Sequence, residues 1–197
     1  MAYADIISMS FGFPEEPEIN GESVISNAIA QAEMARNQRI LFFAAAANDG
    51  GNQMEMFPAR HQSVCSVRAT DHHGKFSPFN PPPSLFEANV IGTLGEQVTG
   101  AGLCGSRDVI RTGTSVATPI AAGIAATLLG YAETRLRVKE SLLDRKMVDK
   151  LKRVRGMRSM LWQLGSQMSG GKERYLHMGR FLRASDRKRD AILANAT

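Results

Sequence analysis

A long apolar helix that begins at a glycine-serine turn constrains this 197-residue chain more than any other feature. The segment Gly113-Thr114-Ser115-Val116-Ala117-Thr118-Pro119 leads into a run rich in alanine and glycine. Since the run is apolar on every side, the sequence predicts a helix over residues 115–129 that passes through the core. Ser115 then has two interpretations. It is an ordinary helix cap, or a nucleophile whose oxyanion would meet the free N–H groups of the first helical turn.

The residues before this helix alternate between strand and helix patterns. Apolar runs predict strands over residues 5–11, 40–46 and 63–69, and an amphipathic helix is expected over residues 23–36. Continuous apolar strands joined by helical crossovers are typical of a parallel sheet. The expected fold class is therefore α/β, a parallel β-sheet with helices on both faces.

Net charge divides the chain near residue 130. Residues 1–130 contain 7 Lys and Arg against 12 Asp and Glu, whereas residues 131–197 contain 17 against 7. In the basic part, apolar residues recur at helical spacing from Met147 to Leu164, so one face should be buried and the basic side chains solvated. Gly170-Gly171 ends this pattern, and a shorter helix is expected over residues 175–182. The sequence predicts two units, residues 1–130 and a basic helical extension over residues 131–197.

Four sequence blocks resemble the subtilisin-like serine peptidases, the subtilases. The run G-T-S-x-A-x-P around Ser115 resembles the nucleophile motif of the family, and Ala44-Ala45-Ala46-Ala47-Asn48-Asp49-Gly50 resembles the segment that carries its oxyanion asparagine. Residues 5–12 are similar to the strand that ends in the substrate-binding edge, and residues 57–67 to the next pocket wall and strand. The blocks follow the order of the family over about residues 4–130. The resemblance implies a partial subtilisin-like fold there and a serine-type endopeptidase function.

The resemblance assigns catalytic roles to Ser115 and Asn48. Ser115 Oγ would attack the scissile carbonyl, and the Asn48 amide together with the Ser115 N–H would hold the oxyanion. Asn48 also has an ordinary interpretation, because Asn-Asp-Gly is common turn chemistry.

Two short segments are expected to bind substrate on the same resemblance. The first would pair its backbone with an extended peptide, and the second would line the pocket for the residue before the scissile bond. They consist of Ser10, Phe11 and Gly12, and of Ala45, Ala46 and Ala47. The chain departs from the family at Ala47, where glycine is usual, and at Ile120, where histidine is usual. The extra methyl of Ala47 would narrow the pocket or tilt Asn48. Phe57-Pro58 resembles an aromatic-proline turn of the family that is cis.

The aspartate and the histidine of the family's catalytic triad have no counterpart in this sequence. The family order is Asp, His, Ser, so both partners of Ser115 should precede Asn48. No histidine occurs before His61, and the sequence contains neither an Asp-Ser/Thr-Gly turn nor a His-Gly-Thr-His segment. The expectation is a partial chain without the N-terminal half of the catalytic domain, inactive alone. The alternative is a catalytically inactive remnant that binds a peptide or a protein partner.

No cofactor or metal is expected. The remaining histidines are interpreted as ordinary loop or surface residues; they are His61, His72, His73 and His177. The Asp-His-His loop has no further Cys or His nearby, and Cys65 and Cys104 form no metal-type cluster. Buried thiols are favoured for the cysteines, with a disulfide left open.

The resemblance and the charge distribution also indicate which partners to expect. A peptide or protein substrate and the missing N-terminal half are expected. Nucleic-acid binding rests on the charge of the extension alone and is not expected. No continuous run of about 18 apolar residues is present, so no membrane contact is expected either. The sequence indicates no compartment.

Overall fold

A six-stranded, mostly parallel sheet forms the centre of the protein. The computed structural model describes residues 4–51, 53–82, 90–103, 108–168 and 172–195. The strands of the sheet are β1 (Ile6–Met9), β4 (Leu41–Ala45), β5 (Val64–Thr70), β6 (Val90–Leu94), β9 (Ser166–Gln167) and β10 (Glu173–Tyr175). Their spatial order is β1-β4-β5-β6-β10-β9, and β9 alone runs antiparallel to its neighbour among them.

Helices cover both faces of this sheet. They are α1 (Val24–Ala35) on one face, and α2 (Thr114–Arg135), α3 (Arg145–Leu151) and α4 (Val154–Leu164) on the other. Strand β4 shows the division, because Leu41 and Phe43 face α2 while Phe42 and Ala44 face α1. All five residues of β4 are buried. This confirms the predicted α/β class with a parallel sheet between helical layers.

Helix α2 packs across strands β1, β4, β5 and β6. It starts one residue before the predicted helix and continues to Arg135. Its side away from the sheet is exposed and carries small residues: Pro119, Gly123, Ala126 and Gly130. By length and composition α2 also satisfies the requirements for a membrane span, so the expectation that no segment does is wrong. Half of the most apolar part of α2 is buried inside the protein.

The basic extension differs in detail from its predicted form. The apolar pattern between Met147 and Leu164 forms two helices, because the chain turns at Lys152 and Arg153. The helix predicted over residues 175–182 is wrong at its start: Tyr175 ends β10, which pairs with β6 and satisfies the backbone groups of that strand. The helix is the shorter α5 (Gly179–Leu182). Gly170-Gly171 lies outside the described residues.

The extension shares its core with the first 130 residues. Its side chains join the cluster formed by β4, β5 and α2; among them are Leu143, Val148, Leu151, Met157, Met160, Leu161, Leu164, Leu176, Phe181 and Leu193. The last helix, α6 (Asp186–Asn195), contacts α2. Two small hairpins complete the described fold, β2 (Glu18–Ile19) with β3 (Glu22–Ser23), and β7 (Val98–Gly100) with β8 (Val109–Arg111). The division into two domains at residue 130 stays a prediction.

Candidate active site

Ser115 lies in the first turn of α2, directly after a glycine that shapes the turn. The Gly113 N–H donates to the Gly95 carbonyl, which follows β6, at 2.8 Å. Gly113 has φ 148°, a conformation that favours glycine. A Cβ at Gly113 would lie 3.2 Å from Ser115 Oγ and 3.4 Å from both Nδ2 and Oδ1 of Asn48. The glycine therefore keeps open a small space that both side chains border.

Asn48 is oriented by the start of the same helix. Its Oδ1 accepts a hydrogen bond from the Thr114 N–H at 2.8 Å. Because the carbonyl end of the amide is occupied, the Nδ2 donors are directed away from that bond. Asn48 is exposed and Ser115 is half-buried. A negatively charged oxygen in the space beside Gly113 would have the Asn48 amide as a donor.

The residue before Asn48 adopts an unusual backbone conformation. Ala47 has φ 154°, outside the regions that L-residues normally occupy, and its side chain is buried. Glycine would adopt this conformation without the steric cost of a Cβ. The departure noted in the sequence at Ala47 therefore coincides with backbone strain next to the candidate oxyanion donor.

The two predicted substrate-binding segments lie side by side at one end of the sheet. Strands β1 and β4 are paired in register, with Met9 opposite Ala44, so the residues that follow them emerge together. Ser10 Oγ donates to the Ser115 carbonyl at 2.8 Å, which fixes the first segment to the start of α2. Phe11 is 49% exposed, whereas Ala45, Ala46 and Ala47 are buried.

The predicted pocket wall is joined to the first of these segments. Phe13 and Phe57 exchange two backbone hydrogen bonds of 2.7 and 2.8 Å. The Met56 N–H donates to the Ala46 carbonyl at 2.9 Å, so the wall also contacts the second segment. The Phe57-Pro58 peptide bond is cis, which confirms the prediction.

A buried charged cluster behind this wall was missed by the sequence analysis. Arg68 is 1% exposed, and its guanidinium lies 3.6 Å from a carboxylate oxygen of Glu55. The Ser66 hydroxyl donates to the same carboxylate, and the carbonyls of Pro81 and Pro82 accept from Arg68. A charged residue inside an apolar strand pattern was the available signal, because such a side chain needs partners when it is buried.

Thr114 was also given no role by the sequence analysis. Its side chain is fully buried beside Ser115, and its Oγ1 has no hydrogen-bond partner among the residues that the structure describes. A buried hydroxyl without a partner lowers the stability of the folded state. This hydroxyl is therefore able to donate a hydrogen bond that the described residues do not accept. The available signal for Thr114 was its position in the sequence, directly between Gly113 and the candidate nucleophile.

The histidines form hydrogen bonds and ring contacts elsewhere. His61 Nδ1 accepts from the Ser63 N–H, the ring centroids of His72 and His73 lie 3.8 Å apart with the rings tilted, and His177 Nε2 lies 2.9 Å from Ser166 Oγ. In the described parts of the chain Ser115 Oγ forms no hydrogen bond. No side chain of the described residues is therefore hydrogen-bonded to Ser115 Oγ in the way that a general base would be.

Cys65 and the potential metal ligands bear on the same question among the described residues. Burial raises the pKa of Cys65 to about 11 against the opposing effect of the Arg158 guanidinium, so the thiol is protonated at neutral pH. Cys104 lies outside the described residues. No group of three or more potential metal-ligating side chains occurs within the described ranges.

Comparison with known proteins identifies the family. The sequence model of the subtilase family matches residues 2–157. Minor extracellular protease Epr of Bacillus subtilis is 30% identical over 140 residues, which are 70% of this chain and 20% of that protein. The thermostable alkaline protease of Halalkalibacterium halodurans is 34% identical over 121 residues, 61% of this chain and 30% of that protein.

Solved structures give the same result. The protease domain of PatA, as an S218A mutant, has a TM-score of 0.65 and 29% identity, with 88% of this chain matched to 57% of that one. The prenylagaramide maturation protease PagA shares the fold, with a TM-score of 0.64 at 22% identity over 98% of this chain and 62% of that one. The chain thus spans less than two thirds of each of these proteins.

Proposed function

Because the chain belongs to the subtilase family, we propose that it supplies the nucleophile and oxyanion side of a serine endopeptidase active site. The observation that carries the proposal is the shared space beside Gly113. Ser115 Oγ and Asn48 Nδ2 border that space, and Gly113 leaves it open. A peptide or protein is the proposed substrate.

The geometry supports each of the proposed roles. Ser115 Oγ attacks the scissile carbonyl, whose oxygen becomes negatively charged. The Asn48 amide donates to that oxygen, since its other end is held by the Thr114 N–H. The Ser115 N–H at the start of α2 is a second donor, because the first-turn N–H groups of a helix lack partners within the helix. The substrate pairs with Ser10, Phe11 and Gly12 as an added strand.

The proton of Ser115 requires a base, and the base requires an orienting carboxylate. In this proposal both come from an N-terminal half of the catalytic domain, which is the principal protein partner of residues 4–195. The described chain alone is therefore inactive. The unpaired state of Ser115 Oγ among the described residues supports this division of roles.

A second candidate function is an inactive remnant that binds a peptide or a protein partner. The conformation of Ala47 favours it, because strain beside Asn48 disturbs the position of the oxyanion donor. In that case the substrate edge is retained while catalysis is lost.

Labelling with a fluorophosphonate probe distinguishes these functions. The purified 197-residue chain should not react above the rate of free serine. A longer protein or a co-expressed fragment that supplies an Asp-Ser/Thr-Gly turn and a His-Gly-Thr-His segment should restore labelling at Ser115. Ser115→Ala should abolish the restored labelling, and Ser166→Ala, which removes an exposed serine outside the candidate site, should not.

Two results would contradict the proposal. Rapid labelling of the chain alone would show that it contains its own base. A complemented protein that folds but leaves Ser115 unlabelled would favour the inactive remnant.

A further inference from the structure

A small polar cavity lies at the end of the sheet opposite the candidate active site. It lies where the parallel strands β1 and β4 begin, whereas Ser115 lies beside the residues that follow these strands. Its volume is about 260 Å³. The residues that line it are Asp5, Ala35, Arg36, Asn37, Arg39 and Lys152. Since five of these six residues are polar or charged, the cavity suits a small polar ligand better than an apolar one.

The lining of the cavity is positively charged. Three cations against one carboxylate give the described lining residues a net charge of +2, and the Arg36 guanidinium contacts the Asp5 carboxylate at 2.5 Å. Arg36 and Lys152 are also the C-caps of α1 and α3. The carbonyl end of each of these helices contributes about −0.5 elementary charge, so about one unit of positive charge remains. The cations therefore exceed what the two helix ends would neutralise.

The other two cations are paired with carboxylates that lie outside the described lining. Arg39 contacts Asp149 at 3.2 Å, and Lys152 contacts Glu133 at 2.5 Å. Glu133 also contacts Arg145 at 3.1 Å, so its charge is shared. A guanidinium has five N–H donors and an ammonium group has three. One carboxylate contact therefore leaves each cation able to donate to a further acceptor in the cavity.

The turn between α1 and β4 positions the backbone of both arginines. Asn37 and Gln38 have φ 49° and 59°, so two successive residues other than glycine adopt the left-handed conformation. The Arg39 N–H donates to the Arg36 carbonyl at 2.9 Å, which closes the turn. Gln38 Oε1 accepts from Arg153 at 2.9 Å, which joins the turn to the end of α3. The cationic groups are thus brought together without a ligand, and this lowers the cost of ordering them on binding.

We propose that this cavity binds a diphosphate group, either as inorganic diphosphate or as the phosphate chain of a nucleotide. The phosphate oxygens accept from Arg39 and Lys152, and Arg36 adds a third positive charge. Arginine presents parallel N–H groups that match the spacing of phosphate oxygens. A single carboxylate carries less charge and engages fewer of the three cations. This site is separate from Ser115, so the inference goes beyond the proposed function and does not rest on it.

The test titrates the full 197-residue chain with inorganic diphosphate and, separately, with ADP, at low ionic strength and with phosphorus NMR as the readout. The wild type should bind diphosphate with a dissociation constant below about 1 mM. Arg39→Gln should weaken binding about tenfold or more, because it removes a charge-assisted hydrogen-bond donor. The matched control is Arg145→Gln, since Arg145 also contacts a carboxylate but is 62% exposed and is not among the lining residues; it should bind like the wild type.

The two probes distinguish the sources of the diphosphate group. Equal affinity for both identifies the inorganic ion as sufficient, and tighter binding of ADP identifies a nucleotide. Absence of saturable binding of either probe by the wild type overturns the proposal and leaves the cations as counter-charges of the two helix ends. Equal weakening in Arg39→Gln and Arg145→Gln also overturns it, because a diffuse basic surface would respond in that way. The wild-type titration decides the question even where Arg39→Gln does not fold.

Discussion

Removal of the Asp190 carboxylate should destabilise the whole protein, because this side chain joins the last helix to α2. Asp190 is fully buried and accepts from Arg135 Nε at 2.9 Å and Nη2 at 2.8 Å. The Tyr131 hydroxyl and the Leu142 N–H also donate to it, both at 3.1 Å. In Asp190→Ala these donors lose their acceptor in a buried site.

The expected loss is about 3 kcal/mol, the lower end of the range for breaking a buried ion pair. The lower end applies because Arg135 keeps a contact of 3.5 Å with Asp186. For a chain of this length, the loss corresponds to a decrease of roughly 6–12 °C in Tm. The matched control is Asp186→Ala, since Asp186 is 58% exposed on the same helix and contacts the same arginine. Exposed pairs contribute at most about 1 kcal/mol.

The loss of stability in Asp190→Ala should become smaller at low pH. Burial alone would raise the pKa of Asp190, but the hydrogen bonds from Arg135, Leu142 and Tyr131 outweigh it and lower the pKa. A lowered folded-state pKa contributes stability above the ordinary value of about 3.9, and that stability is lost as pH falls through the folded value. The difference between wild type and Asp190→Ala should therefore shrink below about pH 4.

Urea unfolding followed by circular dichroism measures both effects. A single transition that moves to lower urea in Asp190→Ala indicates that residues 131–195 unfold together with the candidate site. Equal stability of Asp190→Ala and Asp186→Ala would refute the reasoning. Two separate transitions, with only one of them shifted, would instead support two domains divided near residue 130.

Two further substitutions test the surroundings of Ser115. Thr114→Val should leave the stability of the chain unchanged or raise it by about 1 kcal/mol, because it removes a buried hydroxyl that has no partner among the described residues; a clear loss in urea unfolding would show that the hydroxyl is bonded. Ala47→Gly should stabilise by about 1 kcal/mol, since relief of the strain at φ 154° exceeds the added entropy of the unfolded chain. A lower urea midpoint for Ala47→Gly would argue against strain at this residue.

The strands and the central helix could be predicted because their patterns are continuous. Residues 40–46 and 63–69 are apolar runs too short for a typical helix, and they form β4 and β5 within one residue of their predicted ends. The helix after Gly113 could be predicted because a glycine turn marks its start and no side of its sequence pattern is polar. In these segments local propensity and burial favour the same structure.

Long-range pairing explains what the sequence did not reveal. Tyr175 belongs to β10 because β6 offers backbone groups to pair with, and no short-range pattern encodes that neighbour. The cluster around Arg68 depends on contacts between residues that are 11 to 14 positions apart along the chain. Met56 lies beside Gly12, where the neighbouring Phe13 and Phe57 backbones pair, and no short-range pattern encodes this proximity.

The free edge of the sheet provides the last prediction. Strand β1 lies at the end of the sheet, and within the described residues no strand pairs with its outer side. Since an unpaired edge offers N–H and C=O groups to another chain, the isolated protein should self-associate. The exposed small-residue side of α2 adds apolar surface beside this edge, although alanine and glycine contribute less area than larger side chains would.

A charge on this edge should suppress the association. Ser8 is exposed in β1, and Ser8→Lys places an ammonium group where a second chain would pair. Sedimentation at tens of micromolar should show a smaller mean mass for Ser8→Lys, with Tm unchanged because Ser8 is not part of the core. Thr127→Lys is the control, since Thr127 is exposed on α2 and belongs to no strand, so it adds the same charge without blocking strand pairing. A wild-type chain that sediments as a monomer, melts sharply and binds no hydrophobic dye would show that β1 is protected, and that the described chain is stable without a partner at this edge.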